Sequence, residues 1–238
     1  MTLQDIFNWL KYGELAHLGL YDSATGKITD ENKPKIISHI ILGLRDLHTK
    51  FPLKERELAI QQYDHISQYV LKKEFAVTNP DETPNGEPKY IVDSVENPFT
   101  GDILRIDQVF DELGNEVPIN EPSSIFSVFT PAYNVLQIPR AVGENTTFVT
   151  YRADHVKIPL EVANPEAVEI EIPDSHTQAL LFFVASRLFA TMNHPEGSPL
   201  SGEYQLKYMN EVNQIIQHNL NSEYVPQFRQ DIKREGWV

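Results

Sequence analysis

Apolar positions recur along this chain with two periods, one near four residues at both ends and one near two in the middle. Residues 3–18 place Leu3, Ile6, Phe7, Leu10, Leu15 and Leu18 close to an i, i+3, i+4 pattern, interrupted at Gly13. This predicts a short amphipathic helix followed by a second helical turn. A stronger helix is expected after Thr29 or Asp30, with Pro34 in its first turns and a stripe of Ile37, Ile40, Ile41, Leu44 and Leu47 running to Phe51-Pro52. Gly43 within it costs about 1 kcal/mol relative to Ala, which points to close approach of another backbone.

Beyond Pro52 the alternation of Leu58, Ile60, Tyr63, Ile66, Tyr69 and Leu71 predicts a hairpin turning near Asp64-His65. Pro80, Pro84, Pro88 and Pro98 with Asn85-Gly86 mark a long irregular excursion over 78–101, holding one strand at Tyr90-Ile91-Val92. A second hairpin is expected from Ile103–Phe110 and Glu116–Ile119 around Leu113-Gly114-Asn115. Further strands are expected at Ile125–Phe129, Val135–Ile138 and Thr147–Ile158.

The most apolar stretch is Ile172 to Asn193, IPDSHTQALLFFVASRLFATMN. Pro173 breaks what precedes it, and Ser175 with Gln178 has the form of a capping box, with Asp174 as a rival cap. From Ala179 to Ala185 no residue is polar, so two turns of helix are apolar around the whole circumference. That run is too short for a bilayer, which needs about 20 residues. Its large side chains, Leu180, Leu181, Phe182, Phe183 and Val184, are worth roughly 8–15 kcal/mol on burial. Either this helix lies at the centre of the fold or one of its faces is covered by another subunit. After a turn-rich connector at 193–202, a second helix to about Leu220 carries Tyr204, Tyr208, Val212, Ile215, Ile216 and Leu220 on one face, and the two should form an antiparallel hairpin.

The fold class expected is α+β: a helical N-terminal segment, an antiparallel β middle of five to seven strands, a C-terminal helical hairpin and an extended tail. Residues 1–52 and 172–220 form the helical part, 53–171 the β part and 221–238 the tail. Tyr224, Phe228 and Trp237 in that tail argue for docking onto a partner, a neighbouring subunit or the tail's own domain.

Composition narrows the function. At 238 residues a real core is available. A net charge of −14 has the wrong sign for a protein that grips phosphates. The lack of cysteine excludes disulfides, thiolate metal sites and thiol nucleophiles. Met1 leads into Thr-Leu-Gln-Asp-Ile-Phe without a basic run or cleavage site, so no secretory leader is expected. Between residues 80 and 125 eleven acids face only Lys89 and Arg105, a net of −9. This is either a solvated loop surface or a surface that repels a polyanion.

Catalytic patterns fail one by one. Tyr21 to Ile28 misses the phosphate-loop glycine and the closing Ser or Thr. The pairs Glu55/Glu57 and Glu169/Glu171 lack a cluster of partners, Asp154-His155 lacks a nucleophile elbow, and the histidines have no ligand spacing. His39 and His48 flank an apolar stripe, where a histidine is ordinarily a boundary residue. No catalytic, cofactor or metal site is expected.

Four stretches carry a resemblance: LQDIFNWLKYGELAHLGL at 3–20, PKIISHIILGLRDLHTKFPLKERELAIQQYD at 34–64, FVTYRADHVKIP at 148–159, and the apolar helix at 172–193 with the helix after it. In this order they resemble the head-to-tail adaptor (connector, tail tubular) proteins of tailed, podovirus-type bacteriophages. The likeness is one of architecture over most of the chain, and the 78–101 excursion and aromatic tail fall outside it. It implies a structural virion protein, assembled in the host cytoplasm and located at the head-tail junction. Its copies would form a ring, usually dodecameric, that joins the portal to the tail tube or nozzle protein and lets DNA through without specific binding. On this reading Phe182, Phe183, Phe189, Tyr224, Phe228 and Trp237 are the candidate partner-interface residues. A minor tail component or assembly chaperone that forms no ring is the alternative, and a cell-wall hydrolase a more distant one.

Overall fold

The computed structural model describes residues 1–16, 18, 20, 28–191 and 197–218, and the chain divides into two compact units, 1–47 with 157–238 and 48–156. The fold is mixed α+β, as the two periods predict. The phosphate-loop-like segment, apart from Ile28, and the tail with Tyr224, Phe228 and Trp237 lie outside the described residues. The β unit is shorter than the 53–171 expected from the sequence. Residues 157–171 group with the helices instead.

The helical unit begins with α1 (Leu3–Tyr12). Thr2 caps it through its hydroxyl, which accepts the Asp5 N–H, while the Asp5 carboxylate accepts the Thr2 N–H at 2.8 Å. Leu3, Ile6, Phe7 and Leu10 form its buried stripe. The first residues also zip against 168–170: Leu3 N–H bonds to Val168 O at 2.9 Å and Ile170 N–H to Met1 O at 2.8 Å. Strand-like pairing of the chain start is what draws the segment before the apolar helix into this unit.

Helix α2 (Lys33–Lys50) buries Ile36, Ile37, Ile40, Leu44 and Leu47. Helix α3 (Asp174–Ala190) is the apolar helix, and α4 (Gly197–Gln217) returns beside it. The expected capping box is not formed. Pro173 occupies the N-cap, Ser175 sits inside the first turn bonded to His176 Nδ1, and Gln178 bonds to Glu14 instead. Within α3, Ala179, Leu180, Val184 and Ala185 are fully buried, and α1, α2 and α4 all reach it. α3 is thus the centre of its unit, with Phe182 and Phe183 left half-buried. The aromatic pairs give the direction of the hairpin, with Phe189 late in α3 stacked on Tyr204 early in α4 at 5.3 Å, and Phe183 edge-on to Tyr208 at 5.4 Å.

Gly43 is explained by side chains and not, as expected, by a second backbone. A Cβ there would lie 2.7 Å from Leu180 Cδ1 and 2.9 Å from Phe183 Cδ1. Overpacking of a core costs about 1–3 kcal/mol and Ala regains about 1 kcal/mol of helix propensity. Gly43→Ala should therefore lower stability by about 1 kcal/mol, read as a lower urea midpoint with an unchanged m-value.

The β unit holds two antiparallel sheets. β1 (Glu55–Gln61), β3 (Ile91–Val92), β4 (Ile103–Phe110) and β7 (Thr146–Ala153) make one in the order β3-β1-β7-β4; β2 (Gln68–Val70), β5 (Phe129–Ala132) and β6 (Val135–Gln137) make the other in the order β2-β6-β5. Leu58 lies opposite Val149 across the β1–β7 pair, and both are buried, as are Ile60 on β1 and Tyr151 on β7. Tyr90 stacks on Phe75 at 4.7 Å and meets Tyr69 edge-on, and its hydroxyl bonds both the N–H and the C=O of Val70 at 2.9 Å. A side chain thus closes the backbone edge of β2.

Of the two expected hairpins the first does not form and the second is cut short. β1 and β2 join different sheets, and the turn at Asp64-His65 is tied to the 142–145 loop through Gly143 N–H to Asp64 and Gln62 N–H to Asn145 O. After β4 the return segment bridges Phe110 through Glu116 and donates Val117 N–H to Val109 O at 2.8 Å, but Pro118 has no N–H to extend the ladder and Ile119 bridges Val128 instead. The strand expected at Ile125–Phe129 begins only at Phe129, leaving Ile125 and Phe126 exposed in a turn.

Candidate interaction surfaces

The three described candidate residues sit on α3 against α4. Phe189 is 6% exposed beneath Tyr204 and has no face left for a partner. Phe182 and Phe183 are half-buried, Phe182 tilted against Tyr204 at 6.1 Å and Phe183 between Tyr208 and Gly43. Tyr208 donates its hydroxyl to Asp46 of α2, and burial with that carboxylate raises its pKa. Of the three, only Phe182 and Phe183 keep area that a second molecule could cover.

α4 departs from the expected pattern. Tyr208, Val212 and Ile215 are buried, but Ile216, expected on the same face, is 56% exposed, together with Leu206 and Met209. The 3, 4, 3 spacing of Leu206, Met209, Asn213 and Ile216 would have revealed this outer face, because it repeats at helical period about a third of a turn from the buried one. On α1, Trp9 and Tyr12 also stand exposed, and aromatic side chains of this kind are enriched at interface hot spots.

The acidic run resolves into two groups. Four carboxylates are structural ties. Asp93 accepts from Thr78 and Phe99, Asp102 meets Arg56 and Tyr151, Asp107 meets Arg105 and Arg152, and Asp111 organises the turn at Gly114. Burial alone would raise the Asp93 pKa, but those donated bonds outweigh it and hold the carboxyl below its ordinary value. Arg152 also donates to Thr49 O and Lys50 O, so a cation sits at the C-terminal end of α2. The other seven, Asp81, Glu82, Glu87, Glu96, Glu112, Glu116 and Glu121, are exposed. The exposed acidic surface is therefore smaller than the charge count implied.

The β unit contains open cavities of about 360 Å³, lined among others by Arg56, Val92, Asp93 and Phe148, and about 520 Å³, lined among others by Val109, Glu116, Phe126 and Arg140. Glu55 and Glu57 are exposed on one face of β1, and Glu169 and Glu171 belong to the other unit. No group of three metal-ligating side chains exists among the described residues.

His48 is buried rather than at a boundary. Its Nδ1 donates to Ala153 O at 3.2 Å, its Nε2 has no hydrogen-bond partner among the described residues, and the His155 ring lies 6.1 Å away. Burial first, then His155, pushes its pKa down to about 4. His39 is lowered by burial and by Arg187. No helix among the described residues is long and apolar enough to cross a membrane. No protein-family model and no curated protein matches the chain.

Proposed function

We propose that this protein is a structural virion component, an adaptor whose copies form a ring between the portal at the capsid vertex and the tail. The ring forms part of the channel through which DNA passes, and no catalytic step is involved. The observation that carries the reading is the order of elements. Both chain ends build one helical unit around a proline-led apolar helix, and an antiparallel β unit with Tyr151 on its long strand is inserted between them. That is the order on which the resemblance to head-to-tail adaptors stands.

Two further features support it. The exposed acids of the β unit suit a surface past which DNA must slide, since every phosphate contact would slow its passage. Exposed Trp9 and Tyr12, with the remaining area of Phe182 and Phe183, offer aromatic anchors of the kind a subunit contact uses.

Reconstitution tests the proposal: the full chain is mixed with the purified portal of its virus and the complex is imaged by electron microscopy. A stoichiometric ring seated on the portal is the expected result. Binding without a ring would favour a minor tail component or chaperone, and turnover in a cell-wall lysis assay would favour a hydrolase; either would overturn the adaptor reading.

A further inference from the structure

Strand β1 is paired along its whole length on one side only. Residues 55–61 run beside β7, whereas β3 accompanies them over just Ala59 and Ile60. Main-chain groups alternate between the two sides of an antiparallel strand. Gln62 N–H bonds to Asn145 O on the β7 side and Gln61 N–H to Tyr90 O on the β3 side, both at 2.8 Å, so the odd-numbered residues of β1 address β3. Continued by two residues, the register would set Ser94 opposite Glu57. The chain turns away there instead, with Asn97 N–H bonded to Ser94 O at 3.2 Å. Glu57, and Glu55 before it, each keep an N–H and a C=O on this edge that pair with no main chain among the described residues.

The space beside this edge is the cavity of about 360 Å³. Leu58, Phe99 and Tyr151 wall it on the buried face of the sheet, Phe99 edge-on to Tyr151 at 6.2 Å. Ala59, Val92 and Phe148, which face one another in register across three strands, wall it on the other face. A ligand here meets unpaired amide groups at strand spacing between two apolar walls. That is the chemistry that recognises an extended peptide.

Charge selects the peptide. Glu55 and Glu57 are exposed on the outer face of the same edge, and Glu96 is exposed in the turn beside it. The neighbouring cations are committed elsewhere, Arg56 to Asp102 at 3.3 Å and Arg152 to Asp107 at 2.6 Å. Side chains of an added strand alternate between the faces, and opposite charges on directly facing residues are favourable where like charges are not. Lysine or arginine therefore suits the outward positions opposite Glu57 and Glu55, and apolar side chains suit the inward ones. We propose that this edge binds a partner protein through an extended segment of alternating basic and apolar residues, added to the sheet as a strand beside β1. The contact does not depend on the adaptor reading and would hold if that reading failed.

Titration of the isotope-labelled full chain with the end-blocked peptide Lys-Val-Lys-Val-Lys tests it by NMR. Saturable shifts of the Glu55 and Glu57 amide signals are expected. Glu-Val-Glu-Val-Glu, and a Lys-Val-Lys-Val-Lys methylated at its main-chain nitrogens, should produce none. Glu57→Pro removes the N–H that faces the cavity and none that β7 uses, and proline is tolerated at such an edge position. It should weaken binding by at least about 10-fold. Glu55→Lys combined with Glu57→Lys changes two exposed side chains, so it should leave the fold intact and turn the preference to the acidic peptide. Binding that survives methylation, Glu57→Pro or the charge reversal would overturn the proposal, and so would the absence of binding. Glu55 and Glu57 amides already protected from hydrogen exchange in the free chain would overturn it too, because the chain's own tail or a second copy would then cover the edge.

Discussion

Leu180→Asp should leave no folded protein at 25 °C, whereas Phe182→Asp, two residues further along the same helix, should leave a folded one. Leu180 has no exposed surface and packs beside Gly43 under α2. Deleting a buried leucine costs about 2–5 kcal/mol, and an unpaired carboxylate in its place adds several more. Together these approach or exceed the whole stability of a domain, about 5–15 kcal/mol. Phe182 is half-buried and tilted against Tyr204. An aspartate there can turn toward water, so the loss is confined to part of one aromatic contact. Far-UV circular dichroism and urea titration of the two variants separate the outcomes. Equal collapse of both would mean that α3 has no tolerant side, and that the remaining area of Phe182 is not available to a partner.

The burial of α3 was legible in the sequence because seven consecutive residues without a polar member leave no other solution. What covers it was not, because circumferential apolarity carries no direction: the same run suits three helices of one chain or two subunits. The fine structure of its start was misread for a related reason. Ser175 and Gln178 have the capping-box spacing, but Pro173 has already fixed the entry of the chain, and the helix begins two residues too early for Ser175 to cap it. Period-two alternation identified β1, β4, β6 and β7, yet it could not say that β1 pairs with β7 instead of β2. Alternation specifies which face is buried and not which strand lies alongside. The second hairpin was expected at full length across Pro118, whose missing N–H stops its ladder after Val117. The outer stripe of α4 is present in the spacing, but Ile216 also continues the inner face of Tyr208, Val212 and Ile215, so the two overlap in the sequence. His48 was hidden altogether, since its carbonyl partner lies 105 residues away.

That histidine gives the second large expected effect, a loss of stability on mild acidification. Its neutral form is the one the fold accepts: Nδ1 carries the proton donated to Ala153 O, and a second proton on the buried Nε2 would find no acceptor among the described residues. The nearby charged or titratable groups are His155, Asp154 and Lys54, of which Asp154 alone favours the cation. Burial and His155 hold the folded pKa at about 4, against about 6.5 for an unfolded imidazole. The stability this supplies is present in full above the unfolded value. As pH falls from about 6.5 towards 4 the unfolded chain takes up a proton that the folded chain refuses, so stability drops until both are protonated. The full loss is about 3 kcal/mol, of which about 2 kcal/mol should appear between pH 7 and pH 5. His39, lowered in the same direction, adds to the trend, whereas Asp93 acts at lower pH, near and below the ordinary carboxylate range. Urea unfolding at pH 7 and pH 5 measures the drop. His48→Gln, which can still donate to Ala153 O but cannot titrate, should remove most of it; an unchanged drop in that variant would place the acid sensitivity elsewhere.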